Sequence, residues 1–411
     1  MKLKTSKNIK IVNDPVYGLI NIPEGLIFKI IEHRFFQRLR RIKQLGFTEY
    51  VYPGATHTRF QHVIGAAYLM SSAIDVIRSK GNEITEEEKE ASILAILLHD
   101  IGHSPFSHTL ELNLIDINHE KLSLMFMNVL NDEFDGKLDL AIKIFTNIYE
   151  KKFLHQLVSS QLDVDRLDYL RRDSFYTGVS EGVIGSDRII KMLNVVEGNL
   201  VVEAKGIYSI EKFLIARSLM YWQVYLHKTV IASEKLLNKI IERVKYLRSK
   251  NIDLFLTPAL SYFIDNDYKK DLSQNEIVYH FAMLDDNDII TSIKNWINTN
   301  DLVLAQLCNK FINRQLFRIE LSNKTFDESK ISNLKNRFEQ KNKNLFTEDE
   351  INYFVFNGEI SNKAYSAGND RIKILQKSGE LVDIVEASDM LNISVLSKRV
   401  TKYFLCYPKE I

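Results

Sequence analysis

The chain has 411 residues, 45% hydrophobic and 26% charged, which is enough for one or more sizeable buried cores. Fifty-four basic against 53 acidic residues leave a formal charge of +1, without the basic excess of a dedicated nucleic-acid binder. Sixteen glycines and six prolines exclude collagenous, linker-rich and turn-dense all-β chains, and two cysteines cannot build a disulfide framework or a cysteine-based zinc site.

In chain order, residues 9–22 predict an extended pair around Asn13-Asp14-Pro15 and Gly18. Apolar positions at three- and four-residue steps predict a helix over 26–45, stopped by Gly46. A loop through Pro53 and Gly54 leads to an apolar helix over about 62–80. Thr85 and Glu88 form a capping-box pattern for a helix apolar on every side, which delivers His99-Asp100 at its end before Gly102 and Pro105. Asn118 caps a helix beginning at His119, and helical spacing resumes over 156–172. A hairpin is expected at 195–202 and one long helix over 210–250. Past a soft boundary near residue 255, helices at 273–310, a strand at 315–321 and a hairpin around Ser378-Gly379 follow. No run of eighteen apolar residues and no apolar leader is visible, so a cytoplasmic location with no membrane segment is expected.

Six of the ten histidines fall between His57 and His119. Adjacent helical residues point about 100° apart, so His99 and Asp100 converge on one ion only from a helix end or a distorted turn. His62, at the start of an apolar helix, and Asp165, on a helix built for burial, each need a partner. Two imidazoles and two carboxylates suit a hard to borderline divalent metal and leave room for water and a phosphate oxygen. A solvated helix face accounts for Asp163 and Asp168, and ordinary structural roles account for His33, His57, His155 and His280.

Thr58-Arg59-Phe60-Gln61-His62, the run from His99 to His108 and Asp163-Val164-Asp165-Arg166-Leu167-Asp168-Tyr169 together resemble the HD-domain deoxynucleoside triphosphate triphosphohydrolases. That group includes bacterial dGTPases and the vertebrate SAM-and-HD-domain enzyme. The resemblance runs in order over residues 9–250 and continues weakly past 311–317. It implies a mainly α fold, with an HD-domain helical core (1–254) and a smaller mixed α/β C-terminal region (255–411) packed on it and in oligomer contacts.

The implied metal ligands are His62, His99, Asp100 and Asp165, holding Mn or Mg, with Fe, Ni and Zn compatible. His119 takes the place of the catalytic histidine and Glu111 that of the carboxylate orienting it. Water or hydroxide would attack the α-phosphorus while His119 protonates the leaving 5′-oxygen, giving a deoxynucleoside and triphosphate. Arg59, His103, His108 and Arg166 match phosphate-holding positions. Gln44, Tyr169 and Asp173 match sugar-holding ones, with Tyr169 under C2′ and the other two on the 3′-hydroxyl. His227 matches a histidine near phosphates and base. Gln223 and Ile231 stand where the vertebrate pattern has Arg and Tyr, so the resemblance carries over no base preference.

Gln37 and Arg40 resemble residues that bind an activating nucleotide at subunit contacts; helix-surface charge explains them equally. The resemblance also implies a homo-oligomer, tetramer or hexamer, and brings dGTP preference and nucleotide activation as further options. An HD-type 5′-nucleotidase stays open as another enzyme, and a nucleotide sensor or weak single-stranded nucleic-acid binder as a non-enzyme. The sequence after His99-Asp100 lacks the acidic pair of (p)ppGpp hydrolases, and no GYP signature of cyclic dinucleotide phosphodiesterases is present.

Overall fold

The structure, a computed structural model, describes residues 10–266, 273–343, 345–362, 371–389 and 400–411. A hairpin of β1 (Lys10–Asp14) and β2 (Gly18–Ile22) turns where the sequence places it, with the Asp14 carboxylate accepting from the amides of Val16 and Tyr17. The helix expected over 26–45 is broken. After α1 (Leu26–Glu32), His33 is extended at φ −66° and ψ 140°, and its Nδ1 accepts from the Phe35 amide to start α2 (Arg34–Gln37). A 3₁₀ turn, Arg38–Arg41, then ends at the extended Ile42. Apolar spacing marks the buried side of such a segment but does not register a break that leaves that side buried.

Two long helices form the frame. Helix α3 (Arg59–Ser79) begins three residues before the expected start, because Thr58 and Gln61 form a capping box. Helix α4 (Glu86–Leu98) starts at the expected Thr85–Glu88 box. By length and composition α3 could cross a membrane, but 67% of its apolar window is buried within the protein. Short α5 (Glu111–Leu114) precedes α6 (His119–Glu133), whose cap is Asn118 accepting from the Lys121 amide at 2.9 Å.

Helices α7 (Asp139–Phe145), α8 (Lys152–Val158) and α9 (Val164–Thr177) follow. The run expected over 156–172 is thus two helices, divided at the extended Ser159 and restarted by the Asp163 cap. After α10 (Ser186–Met192), β3 (Leu193–Val196) and β4 (Asn199–Glu203) form the expected hairpin. The long helix expected over 210–250 is also divided. Helix α11 (Ile207–Met220) runs into a π-turn at Tyr221–Tyr225, and His227 caps a separate α12 (Lys228–Ser249).

Beyond residue 255 come α13 (Pro258–Asp265), α14 (Gln274–Met283), α15 (Asp286–Trp296) and α16 (Leu302–Ile312). Strand β5 (Arg318–Ser322) precedes α17 (Glu328–Lys341), α18 (Glu348–Ile351) and β6 (Phe356–Asn362). Then come β7 (Lys373–Leu375), β8 (Leu381–Asp383), α19 (Ile384–Ala387) and β9 (Val400–Tyr407). The expected hairpin near residue 378 is β7–β8, and β7 adds in parallel to β4, so the late chain extends the earlier sheet. A separate antiparallel sheet has the order β5-β9-β6.

Side chains from both sides of residue 255 share one buried cluster that includes Leu69, Leu97, Phe126, Trp296, Phe311 and Leu405. At that seam the buried Arg38 donates to the Leu284 carbonyl at 2.6 Å, its guanidinium 4.4 Å from the Phe281 ring centre. The fold is mainly α with small sheets, as expected.

Candidate metal centre and substrate cavity

Helices α3 and α9 approach closely enough that a Cβ on Gly65 would stand 2.1 Å from Asp168 Oδ1 and 2.2 Å from Arg172 Nη2. The absence of a side chain there lets α9 bring Asp165 and Asp168 to His62. His62 Nδ1 donates to Asp168 Oδ2 at 2.8 Å, which turns its Nε2 toward Asp165 Oδ1 at 3.0 Å and Asp100 Oδ2 at 3.6 Å. Asp168 is itself fixed by two hydrogen bonds from Arg172, which also reaches Asp14 at 2.8 Å.

His99 and Asp100 lie just past the end of α4, the helix-end geometry that convergence requires. His99 Nδ1 donates to the Ile96 carbonyl at 2.6 Å, so its Nε2 carries the lone pair. That atom stands 3.3 Å from Asp100 Oδ1 and 3.5 Å from Asp165 Oδ1.

Donor atoms of His62, His99 and Asp100 lie within 4.8 Å of one another. The Nε2 atoms of both histidines are buried without a properly formed hydrogen bond. Buried ring nitrogens aimed at a shared group of carboxylate oxygens fit a divalent cation, and Asp168 behind His62 is the carboxylate–histidine support common in metal sites. Electrostatics agree. Burial opposes charge on His62, yet the neighbouring carboxylates of Asp165 and Asp168 outweigh it and push its pKa up to about 10. Burial likewise opposes charge on Asp165, but His62 and His99 hold it below the usual carboxylate range.

Beside this cluster, Glu111 Oε1 accepts from His119 at both Nδ1 (2.6 Å) and the backbone amide (2.9 Å). Its other oxygen accepts from His108 Nδ1 at 2.8 Å. Burial raises the Glu111 pKa, but the bonds from His108 and His119 prevail and hold it far below its ordinary value. His119 therefore turns Nε2 away from Glu111, and its ring lies 4.0 Å from that of His103. His103 is buried, and burial together with the Arg59 charge pushes its pKa well down, so it is a neutral imidazole with an unpartnered Nε2.

The HD domain family model matches residues 59–173, and the HD associated region matches residues 184–276. A solved phosphohydrolase from Bacteroides thetaiotaomicron, BT4208, is 54% identical with a TM-score of 0.93, covering 97% of this chain and 100% of that one. The uncharacterized protein YwfO of Bacillus subtilis is 31% identical, over 98% of this chain and 93% of its own length. The chain belongs to the HD-domain phosphohydrolases. The deoxynucleoside triphosphate triphosphohydrolase SAMHD1 of Homo sapiens is 29% identical, but over 54% of this chain and 42% of its own length.

Two cavities meet at the centre of this HD-domain phosphohydrolase. One, about 310 Å³, is lined by Gln44, Tyr169, Asp173, Tyr221 and Tyr225 among others. The second, about 760 Å³, reaches His99, Asp100, His103 and His119. Gln44, Arg59, His108, Asp165, Arg166 and Tyr169 line both. Arg166 pairs with Asp163 through Nη1, and its buried Nε has no partner; Gln44 Oε1 is likewise buried and free. Arg59 pairs with Asp100 and donates from Nε to Ser107 Oγ at 2.9 Å.

Most of the expected site residues are thus gathered in one groove. His227 instead accepts from the Thr229 amide as the cap of α12 and lines neither cavity. Gln37 and Arg40 also lie outside both, joined to each other by a 2.8 Å bond, with Arg40 over the Phe60 ring.

Two readings of surface character are corrected. Asp163 and Asp168 are buried, as the cap of α9 and the support of His62. His57, read as an ordinary structural residue, is buried and donates from Nε2 to Asp173 Oδ1 at 2.8 Å, while Tyr225 donates to Oδ2 at 2.7 Å. The available signals were the i,i+4 pair Asp168–Arg172 and a histidine five residues before His62. Tyr225 had no local signal, because the π-turn that aims it interrupts helical periodicity.

Proposed function

We propose that this HD-domain phosphohydrolase hydrolyses deoxynucleoside triphosphates, parting the α-phosphorus from the 5′-oxygen to release a deoxynucleoside and triphosphate. The observation that carries the reading is the continuity of the groove. Its smaller cavity, walled by Asp173, Tyr221 and Tyr225, takes the deoxynucleoside, its larger one takes the phosphates, and Gln44 and Tyr169 stand where the two join. The relatives named SAMHD1 support the same class of substrate.

His62, His99, Asp100 and Asp165 would hold the divalent ion. When bound it supplies Lewis acidity, neutralising phosphate charge and making the attacking water more acidic. Arg166 and His108 face the phosphate charge from the junction of the two cavities. Glu111 fixes the His119 ring through Nδ1, so a proton on Nε2 is directed to the departing 5′-oxygen. His57 and Tyr225 hold the Asp173 carboxylate, whose remaining lone pairs accept from the 3′-hydroxyl. Tyr169 packs under C2′ and excludes ribose. An activating nucleotide at Gln37 and Arg40, with assembly of copies around it, belongs to the same reading, since Arg40 is exposed.

The test is to incubate the protein with each dNTP, NTP and dNMP in Mn or Mg. All or some dNTPs should yield triphosphate, with NTPs slower by about tenfold or more. Turnover of dNMPs alone would make this a 5′-nucleotidase, and equal rates on NTPs would remove the role given to Tyr169.

A further inference from the structure

We propose that Asp286, in the first turn of α15, is a positioning residue that holds together two adjacent loops lining the nucleotide cavity and thereby sets substrate affinity. The inference rests on the cavity being the nucleotide site. Asp286 is only 6% exposed and lines neither cavity. Its Oδ2 accepts from the Lys43 amide at 2.9 Å and its Oδ1 from the Phe106 amide at 2.7 Å. Lys43 precedes Gln44, and Phe106 precedes Ser107 and His108, so each bond fixes the backbone next to a cavity-lining side chain.

The two loops are joined again one residue further on. Ser107 Oγ lies 2.7 Å from the Lys43 carbonyl and 3.1 Å from that of Gln44, and accepts from Arg59 Nε at 2.9 Å. Arg59 in turn pairs with Asp100. A chain of polar contacts therefore runs from α15 through both loops to the metal centre. Phe106 and Ser107 have φ of +53° and +58°, a left-handed backbone that non-glycine residues keep only when their surroundings enforce it. Asp286 supplies the acceptor for the first of them.

The chemistry explains why an acid is used despite its burial. Two amide N–H groups converge on one side chain, and a carboxylate accepts at both oxygens. Asparagine offers one acceptor and would turn its NH₂ against the other N–H, while alanine leaves both buried donors unpaired.

Asp286→Asn and Asp286→Ala in the full chain test this, alongside Arg41→Ala, which breaks only the neighbouring Arg41–Asp285 pair. The readouts are KM and kcat for a dNTP, bound Mn, and the Kd of inorganic triphosphate by calorimetry. Asp286→Asn should raise KM and the triphosphate Kd about tenfold with kcat within about threefold and Mn content unchanged; Arg41→Ala should leave KM unchanged. KM and Kd within about twofold of wild type in a folded Asp286→Asn protein, or loss of Mn, would overturn the proposal. If Asp286→Ala does not fold, the nearly isosteric Asn variant decides alone. If the wild type turns over no dNTP, the functional reading fails, and the triphosphate Kd still decides the role of Asp286.

Discussion

His62 shows how one side chain is given its task by its neighbours. Asp168 takes the Nδ1 proton, Arg172 holds Asp168 by two hydrogen bonds, and Nε2 is left facing Asp100 and Asp165. The side chains facing the centre were legible in the sequence, because an imidazole or a carboxylate within an apolar helix requires a partner. Their supports were not. Asp168 and His57 have the same composition-level signature as a solvated face or a routine core histidine, and only the approach of α9 to α3 and to the loop before it separates the two cases.

Glu111 and His119 form a second unit of this kind. His119→Ala should lower kcat by about 10²–10⁴ with bound metal unchanged, because the proposed function has the ring move a proton rather than hold the ion. Steady-state kinetics with metal analysis checks this, and loss of metal would place His119 in the metal centre instead.

At the level of elements, breaks matter more than helices. The apolar spacing of 26–45, 156–172 and 210–250 marks the buried faces, yet each segment is divided, and in the last of them the break aims side chains at the cavity. His227 and the π-turn put Tyr221 and Tyr225 on the cavity, and the end of α4 delivers His99 and Asp100. Gly102 has a further role that its helix-breaking character does not reveal: a Cβ there would stand 2.4 Å from the His119 carbonyl and 2.4 Å from the Ser123 amide nitrogen.

The turn carrying the metal ligands and the first turn of α6 are therefore in backbone contact. Gly102→Ala should cost about 1–3 kcal/mol of stability by overpacking and displace His119 from the centre. Denaturant unfolding should show the loss, and kcat measured well below the transition should fall as well. A variant with unchanged stability and unchanged kcat would contradict that packing.

Over the whole molecule, scarce glycine and proline foretold long helices, and the ordered motifs foretold which helix ends meet. The attachment of the later chain was not legible, because it depends on pairings distant in sequence. Strand β7 adds to β4, Arg38 reaches Leu284, and Asp286 reaches Lys43 and Phe106. No local pattern encodes such contacts, although they bring α15 to the backbone of the cavity.

In the proposed function, the candidate metal centre, His119 and the Tyr169–Asp173 wall act on one bond, that between the α-phosphorus and the 5′-oxygen. Hydrolysis of a dNTP in ¹⁸O-labelled water, followed by mass spectrometry of both products, reports that bond. Label confined to intact triphosphate, with an unlabelled deoxynucleoside, is the predicted result. Label in the deoxynucleoside, or release of orthophosphate or pyrophosphate in place of triphosphate, would contradict it.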